Sequence, residues 1–352
     1  WSAIISIYVE CGEGEKALVS YIQMLREGVD PDKVSCILAL QACACIAETE
    51  PTCFVEEGKI KAKSLEIGQA LQADLEKKGY ISDKRVATAL IGMYSKCGVI
   101  HKSENVFDNV LHRDLVSWNA MLSAYIEQSQ GAKVLVLYRE MCKMNINMDE
   151  ITLTCSLQAC DETGSLEVCK ELHFAIISSG CESFIPVVAT LIHTYGSCAS
   201  MLEAEILNNT LIESDIVSWT AFLASHGGKG ENSVLFEEST FEGILPDDVM
   251  FMSLLTSFSH TGLVTESLGY FELMIREYGI TPKLKHYGII VDLLGRAGDL
   301  KRIENLLRNM PYQPDLAIFG FLLGACSTHG NIELAKQAFD LAVTLEPQQA
   351  NA

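Results

Sequence analysis

The chain is short of proline, short of positive charge and without a long apolar run, and each shortage removes a class of reading. Only 8 of its 352 residues are proline while 49% are hydrophobic. Burial can therefore be continuous, which argues against wholesale disorder. No stretch approaches 18 uninterrupted apolar residues, so no membrane span is expected. Lys and Arg number 26 against 46 Asp and Glu, a formal net charge of -20. That balance opposes nonspecific attraction to nucleic acid or anionic membrane and favours solubility or basic partners. A zinc deaminase needs His-x-Glu, to hold metal and move protons, and a downstream Cys-x-x-Cys. Neither pattern occurs; Cys43 and Cys45 stand only one residue apart. Finger-type zinc spacing is missing too, and we expect no metal, no cofactor and no catalysis. There is no initiator methionine and no signal-like segment. The chain opens in mid-motif on Trp1, so we expect a fragment, with any targeting peptide outside it.

What is present is a repeat. The three tryptophans stand in one phrase: Trp1-Ser2-Ala3, Ser117-Trp118-Asn119-Ala120 and Ser218-Trp219-Thr220-Ala221. Their intervals are 117 and 101 residues. Leu40-Gln41-Ala42-Cys43 returns 117 later as Leu157-Gln158-Ala159-Cys160, and the phrase opening on Leu90-Ile91 returns 101 later at Leu191-Ile192. The period is therefore near 100, with 16 residues added in one copy, and it marks an array of small units. The 13 cysteines are odd in number and stand where small apolar residues would stand in helical patterns. They fit a reducing compartment better than a disulfide framework.

Each 101-residue cycle divides into three helix-turn-helix units. In Leu115–Asp149 one apolar stripe runs through Trp118, Met121, Leu122 and Tyr125, and a second through Val134, Leu137, Tyr138 and Met141. A polar break at Gln128–Gly131 separates them. Glu150–Phe184 and Ile185–Asp215 follow, and lengths of 35, 35 and 31 make up the cycle. Neither helix of a pair can bury its face alone, so stacking must supply the core. Pro31, Pro246, Pro282, Pro314 and Pro347 each fall just after a second helix, where a helix stop belongs. The expected fold is an all-α solenoid of stacked helix-turn-helix repeats. Its units run 1-32, 33-83, 84-114, 115-149, 150-184, 185-215, 216-247, 248-283, 284-315 and 316-349. The 16 extra residues fall near Glu48–Lys63, in an inter-helix turn, and their composition suggests a solvated excursion.

The phrases "LVSWNAML", "GVDPD", "LIGMYSKCG", "HYGIIVDLLGRAGDL" and "LLGACSTHGNIELA" resemble plant pentatricopeptide repeat proteins of the PLS subclass, which alternates long and short repeats. Leu316–Gln349 resembles that subclass's first, E-type, C-terminal extension motif. The resemblance implies an all-α fold, a right-handed superhelical solenoid of antiparallel helix-turn-helix repeats, that binds single-stranded organellar RNA in mitochondrion or chloroplast at about one base per repeat. It implies C-to-U editing-site recognition, with a deaminase-bearing or other editing-factor protein as a partner and no membrane. Two positions of a repeat, the fifth and the last, would read the base. They fall on Ser2 with Asp32, Thr88 with Asp114, Asn119 with Asp149, and Thr220 with Asp247. The hydroxyl–Asp pairs resemble guanine readers and Asn–Asp a uracil reader, less well a cytosine one. Lys96 and Arg296 match positions that face RNA phosphates.

The chain departs from that pattern in places. One short repeat pairs Ala189 with Asp215, and the longer ones pair Ile37 with Asp83, Thr154 with Phe184 and Met252 with Lys283. Glu10, Glu127 and Glu162 stand where a phosphate-facing lysine is usual. The repeat at 216-247 is about three residues short around His226–Gly228. These features, with the acidic balance, keep a second reading open: a scaffold of the related tetratricopeptide type that binds protein and has reduced RNA binding.

Several residues read more simply as structure. Trp118 and Trp219 lie on the apolar stripe and should pack, not stack on bases. Cys43, Cys160 and Cys326 should be buried small residues. Ala17, Ser103, Cys169, Ala204 and Ala335 should let paired helices approach closely. Gly12–Ala17 and Gly227–Gly230 resemble phosphate loops but lack the preceding strand. His260, His286 and His329 have no acid or thiol partner nearby in sequence. Asp32, Asp114, Asp149, Asp215 and Asp247 should cap the next helix, with or without reading a base.

Overall fold

The structure is a computed structural model and describes residues 1–51, 53–55, 58–110, 112–210, 215–225 and 232–345. Its chain divides into two compact units, Trp1–Val187 and Val188–Ala352. The turn at His226–Gly228, the glycines of Gly227–Gly230 and Pro347 lie outside the described residues.

The first unit is a run of helix pairs: α1 (Ser2–Glu10) with α2 (Gly14–Arg26), α3 (Lys33–Thr49) with α4 (Ala62–Lys77), α5 (Lys84–Lys96) with α6 (Ile100–Asp108), α7 (Leu115–Glu127) with α8 (Gly131–Lys143), and α9 (Glu150–Thr163) with α10 (Leu166–Ser179). The first helix of each pair packs on its own partner and on the first helix of the next pair. The core therefore runs along the row of first helices. Ile5, Ala39, Leu90, Leu122 and Leu157 are all fully buried in it.

The second unit begins within α11 (Ile185–Ser197), which is followed by α12 (Met201–Thr210). Then come α13 (Ile216–Ser225) and α14 (Asn232–Phe241), α15 (Asp248–Thr261) and α16 (Val264–Arg276), α17 (Leu284–Arg296) and α18 (Leu300–Asn309), and α19 (Leu316–His329) and α20 (Ile332–Leu345). Here too α13, α15, α17 and α19 pack on one another in order.

Local chemistry explains where the helices start. Asp32, Asp114, Asp149, Asp247 and Asp315 sit in extended backbone and accept the free amide three residues on, opening α3, α7, α9, α15 and α19. Asp83 accepts from Arg85 at α5, and Asp215 from Ser218 at α13. At α17 a histidine serves. The fully buried His286 accepts the Lys283 N–H at Nδ1, 3.0 Å away, so its Nε2–H donates to the Asp248 carbonyl at 2.9 Å. That histidine is structural, as expected. At their other ends α9 and α10 stop on Gly164 and Gly180, whose φ values of 64° and 72° suit glycine.

The added residues of the second repeat hold more order than a solvated excursion. α3 continues to Thr49, and Cys53–Val55 (β1) pairs antiparallel with Gly58–Ile60 (β2), Phe54 opposite Lys59. Glu50 then reaches forward to the start of α4. It accepts from the Lys63 amide at 2.8 Å, the Ser64 amide at 3.0 Å and the Ser64 hydroxyl at 2.5 Å. Burial pushes its carboxyl up, but these donors outweigh it and hold the pKa below the ordinary glutamate value. A carboxylate from before the hairpin thus caps the helix after it, where the Lys61 side chain at the N-cap position donates to the Glu50 carbonyl and does not itself cap α4. The excursion is stitched back into the repeat.

The tryptophans pack. Trp118 is 2% exposed and meets Phe107 edge-on, ring centroids 5.2 Å apart. The Arg113 guanidinium covers Phe107 at 4.2 Å. Trp219 is buried as well and donates from Nε1 to Glu242 at 3.2 Å. Cys43, Cys160 and Cys326 are buried, as are Ala17, Ser103, Cys169 and Ala204; Ala335 is half-buried.

The 117-residue interval has a steric counterpart. A Cβ on Gly14 would lie 2.6 Å from the Ala42 carbonyl, and one on Gly131 would lie 3.2 Å from the Ala159 carbonyl. Both glycines open a second helix that presses on the following first helix at the alanine of the Leu-Gln-Ala-Cys phrase. Gly14→Ala is therefore expected to cost about 1–3 kcal/mol by overpacking. Gly131→Ala should cost less, because the flexible Glu162 side chain can give way. Urea denaturation of the two variants would show whether that order holds.

Candidate functional site

The residues singled out from the sequence fall on the N-terminal turns of the first helices, where the capping aspartates already stand. Asn119 lies on α7 and Asp149 at the start of α9. They are 30 residues apart in sequence and in direct contact. Asn119 Nδ2 lies 2.9 Å from each carboxylate oxygen of Asp149. Thr152, one turn into α9, donates from Oγ1 toward Asn119 Oδ1 at 2.7 Å and Asp149 Oδ1 at 2.8 Å. Asp149 also accepts the Thr152 amide at 2.9 Å. One carboxylate therefore caps a helix and holds the asparagine of the preceding repeat.

Ser2 and Asp32 are joined less directly. Ser35 donates to Asp32 Oδ1 at 2.6 Å, and Ser2 Oγ lies 3.1 Å from Ser35 Oγ. The proton of Ser35 is committed to the carboxylate, so Ser2 is the donor to Ser35.

The other two pairs are not brought together. Asp114 accepts the Ser117 amide and hydroxyl at 3.0 and 2.8 Å, with no hydrogen bond to Thr88. Asp247 accepts the Met250 amide at 2.8 Å. The residue after it in the pattern, Met250, has no hydroxyl to extend toward Thr220. Thr88 and Thr220 are both half-buried on their helices.

The electrostatics follow from these bonds. The Ser35 hydroxyl and amide hold the Asp32 carboxyl below the ordinary aspartate value. For Asp114 burial acts upward, but the Ser117 hydroxyl and amide win and the pKa is lowered. For Asp149 burial again acts upward, and the Thr152 amide, Asn119 and the Thr152 hydroxyl together bring the pKa down. All three are thus carboxylates at neutral pH, able to accept but not donate.

The cations matched to phosphate positions are occupied. Lys96 bridges Glu48 at 2.9 Å and Glu127 at 2.8 Å, and these carboxylates raise its pKa. Arg296 pairs with Asp292 at 2.5 Å and also reaches the Ser259 hydroxyl. The glutamates at the other equivalent positions have structural tasks. Glu10 accepts from Ser6, and Glu162 accepts the Gly131 amide at the start of α8.

One feature escaped the sequence reading. Val34, Val116, Ile151, Val217 and Val249 each stand two residues after a capping aspartate, and all are 46–61% exposed. Each lies three residues before the fifth position of its repeat, hence on the same helix face. Val116 flanks Asn119, and Val217 flanks Thr220. The signal was available as an aliphatic residue out of phase with the core stripe, but exposed aliphatics are common enough to pass unnoticed.

Among the described residues no group of three or more His, Cys, Asp or Glu is placed to hold a metal ion, and no helix is long and apolar enough to cross a membrane.

Comparison with known proteins accounts for this arrangement. Family models of the PPR repeat match residues 1–29 and 249–278, and a PPR repeat family model matches 113–161. Curated plant relatives match from end to end. A mitochondrial pentatricopeptide repeat-containing protein of Arabidopsis thaliana is 31% identical, covering 100% of this chain and 40% of that protein. The chloroplastic protein CRR2 of the same plant is 33% identical, covering 99% and 52%. The chain belongs to the pentatricopeptide repeat family. It spans about half the length of the curated relatives it matches. The repeat protein PPR10, solved in complex with an 18-nt psaJ RNA element, shares the fold at a TM-score of 0.59 and 14% identity. That match covers 98% of this chain and 54% of PPR10.

Because the folded-state pKa of Asp149 is depressed, its contribution to stability is complete above the unfolded aspartate value of about 3.9 and fades as pH falls through the folded value. Asp149→Ala is accordingly expected to lose about 1–2 kcal/mol at pH 7 through the cap alone. Denaturation at pH 7 and pH 3 should show the gap between variant and parent closing at the lower pH.

Proposed function

We propose that this chain is a sequence-specific, single-stranded RNA-binding module acting in organellar RNA modification, where it selects a C-to-U editing site. It has no catalysis of its own, and a deaminase-bearing or other editing-factor protein would act on the RNA it holds. It would work in the mitochondrion or chloroplast, the compartments named for its relatives. The observation that carries this reading is the Asn119–Asp149 pair, an amide and a carboxylate joined across two repeats beside the exposed Val116. The remaining N–H of the amide can donate to a pyrimidine carbonyl, while an exposed aliphatic side chain covers the base's face. PPR10, whose fold is shared, was solved with RNA. The long–short repeat alternation and the extension-like segment at Leu316–Gln349 support the PLS, E-type assignment and with it the editing role.

The polar pairs at Ser2 and Asn119 favour RNA over the protein-scaffold reading, which has only the acidic balance and the occupied lysine behind it. Binding to single-stranded RNAs of programmed sequence tests the choice. A uracil preference at the step governed by Asn119, lost in Asn119→Ala, is the expected result. Equal binding of all four bases by both proteins would overturn base reading.

The phosphate term should be small. For single strands the logarithm of affinity falls against the logarithm of salt by about 0.7 per phosphate neutralised. Lys96→Ala should leave that slope nearly unchanged, since Glu48 and Glu127 already neutralise the charge. Glu48→Gln combined with Glu127→Gln should steepen it by about 0.7, as one freed lysine meets one phosphate.

A further inference from the structure

In two repeats the hydroxyl three residues past the capping aspartate touches both members of the pair. Thr152 is fully buried. Its single hydroxyl proton is shared between Asn119 Oδ1 at 2.7 Å and Asp149 Oδ1 at 2.8 Å, while Asn119 Nδ2 binds both Asp149 oxygens at 2.9 Å. The three side chains close a ring. Ser35 stands in the same relation to Ser2 and Asp32, at 3.1 and 2.6 Å. Of the two pairs without contact, Thr220 with Asp247 has Met250 in the equivalent place, and Thr88 with Asp114 has Ser117, whose hydroxyl binds Asp114 without reaching Thr88.

The ring settles the attitude of the Asn119 amide. An asparagine amide has a donor end and an acceptor end of nearly the same shape, so its neighbours alone decide how it lies. Held only at Nδ2 by Asp149, it would swing about the Cβ–Cγ bond. Held also at Oδ1 by Thr152, it has two anchors, and two anchors define a plane. The ring takes up the edge where the amide's N–H and lone pair lie side by side, so the remaining N–H and the remaining lone pair point away on opposite flanks, each held in a fixed direction. The pyrimidines differ at position 4, where uracil carries a carbonyl that accepts a hydrogen bond and cytosine an amine that donates one.

We infer that Thr152 is a positioning residue that sets uracil against cytosine at the Asn119 step, and that Ser35 does the corresponding work for Ser2. The inference rests on the base-reading proposal, because it concerns how well an amide reads and presupposes that it does. Neither hydroxyl needs to touch RNA.

The test uses the whole chain and one RNA that it binds, with uracil or cytosine at the base governed by Asn119. Affinities are compared for the parent, Thr152→Val, Thr152→Ser and Asn119→Ala. Thr152→Val keeps the shape of the side chain and the backbone amide that Asp149 accepts. It should lower the uracil-to-cytosine ratio by roughly three- to tenfold, the range that one net hydrogen bond supplies. Discrimination at the Ser2 step should be unchanged, and Thr152→Ser should restore the parent ratio. A full ratio in Thr152→Val beside a lost one in Asn119→Ala would overturn the positioning role while leaving base reading intact. An unchanged ratio in Asn119→Ala would overturn base reading itself, and the positioning role with it. Circular dichroism checks the fold of Thr152→Val. Should that variant not fold, Ser35→Ala decides: guanine preference at the Ser2 step should fall in the same range, and a preserved preference overturns the inference.

Discussion

A carboxylate placed between consecutive repeats carries much of this protein. Every helix begins with amides that have no partner inside the helix, and in a stacked array those ends recur every thirty or so residues against buried neighbours. Asp32, Asp114, Asp149 and Asp247 meet that need by accepting the amide three residues on. In doing so each stands beside the first helix of the repeat before it. The capping demand therefore places a row of acceptors at the joins between repeats, and at Asp149 the acceptor meets the fifth-position residue directly. At Asp149 the cap and the contact with Asn119 draw on the same oxygen atoms. At Asp32, Asp114, Asp149 and Asp247 the structure shows the capping role.

The acidic balance also takes a physical form. Glu48 and Glu127 hold Lys96, Asp292 holds Arg296, Glu162 caps α8 and Glu50 caps α4. The excess of acid is thus partly spent on helix ends and on cations that might otherwise face phosphate. An RNA held here would rely more on its bases than on its backbone. That is the opposite weighting from most nucleic-acid proteins, where phosphate contacts dominate affinity.

Much of the architecture was legible in the sequence because it is local and repeated. The stripe through Trp118, Met121 and Leu122 has helical period, Asp stands before most such stripes, and proline or glycine closes the units. Burial of Trp118, Trp219 and the cysteines follows from their phase on those stripes. The added residues of the second repeat were less legible. Glu50 finds the start of α4 only because the β1–β2 hairpin folds the chain back, and no pattern in the 16 added residues announces that return.

The sequence by itself determined the helices, their order and the residue types at each repeated position, because period, caps and stops act over a few residues. Tertiary structure decided which of those positions meet. Ser2 with Asp32, Thr88 with Asp114, Asn119 with Asp149 and Thr220 with Asp247 look alike as letters. Only Asn119 reaches its aspartate directly, and only Ser2 and Asn119 gain a bridging hydroxyl. Whether a contact forms depends on the length of the side chain at one position, the hydroxyl at another and the stacking of two helices thirty residues apart. Those are distances in space, and they exist only once the repeats are stacked.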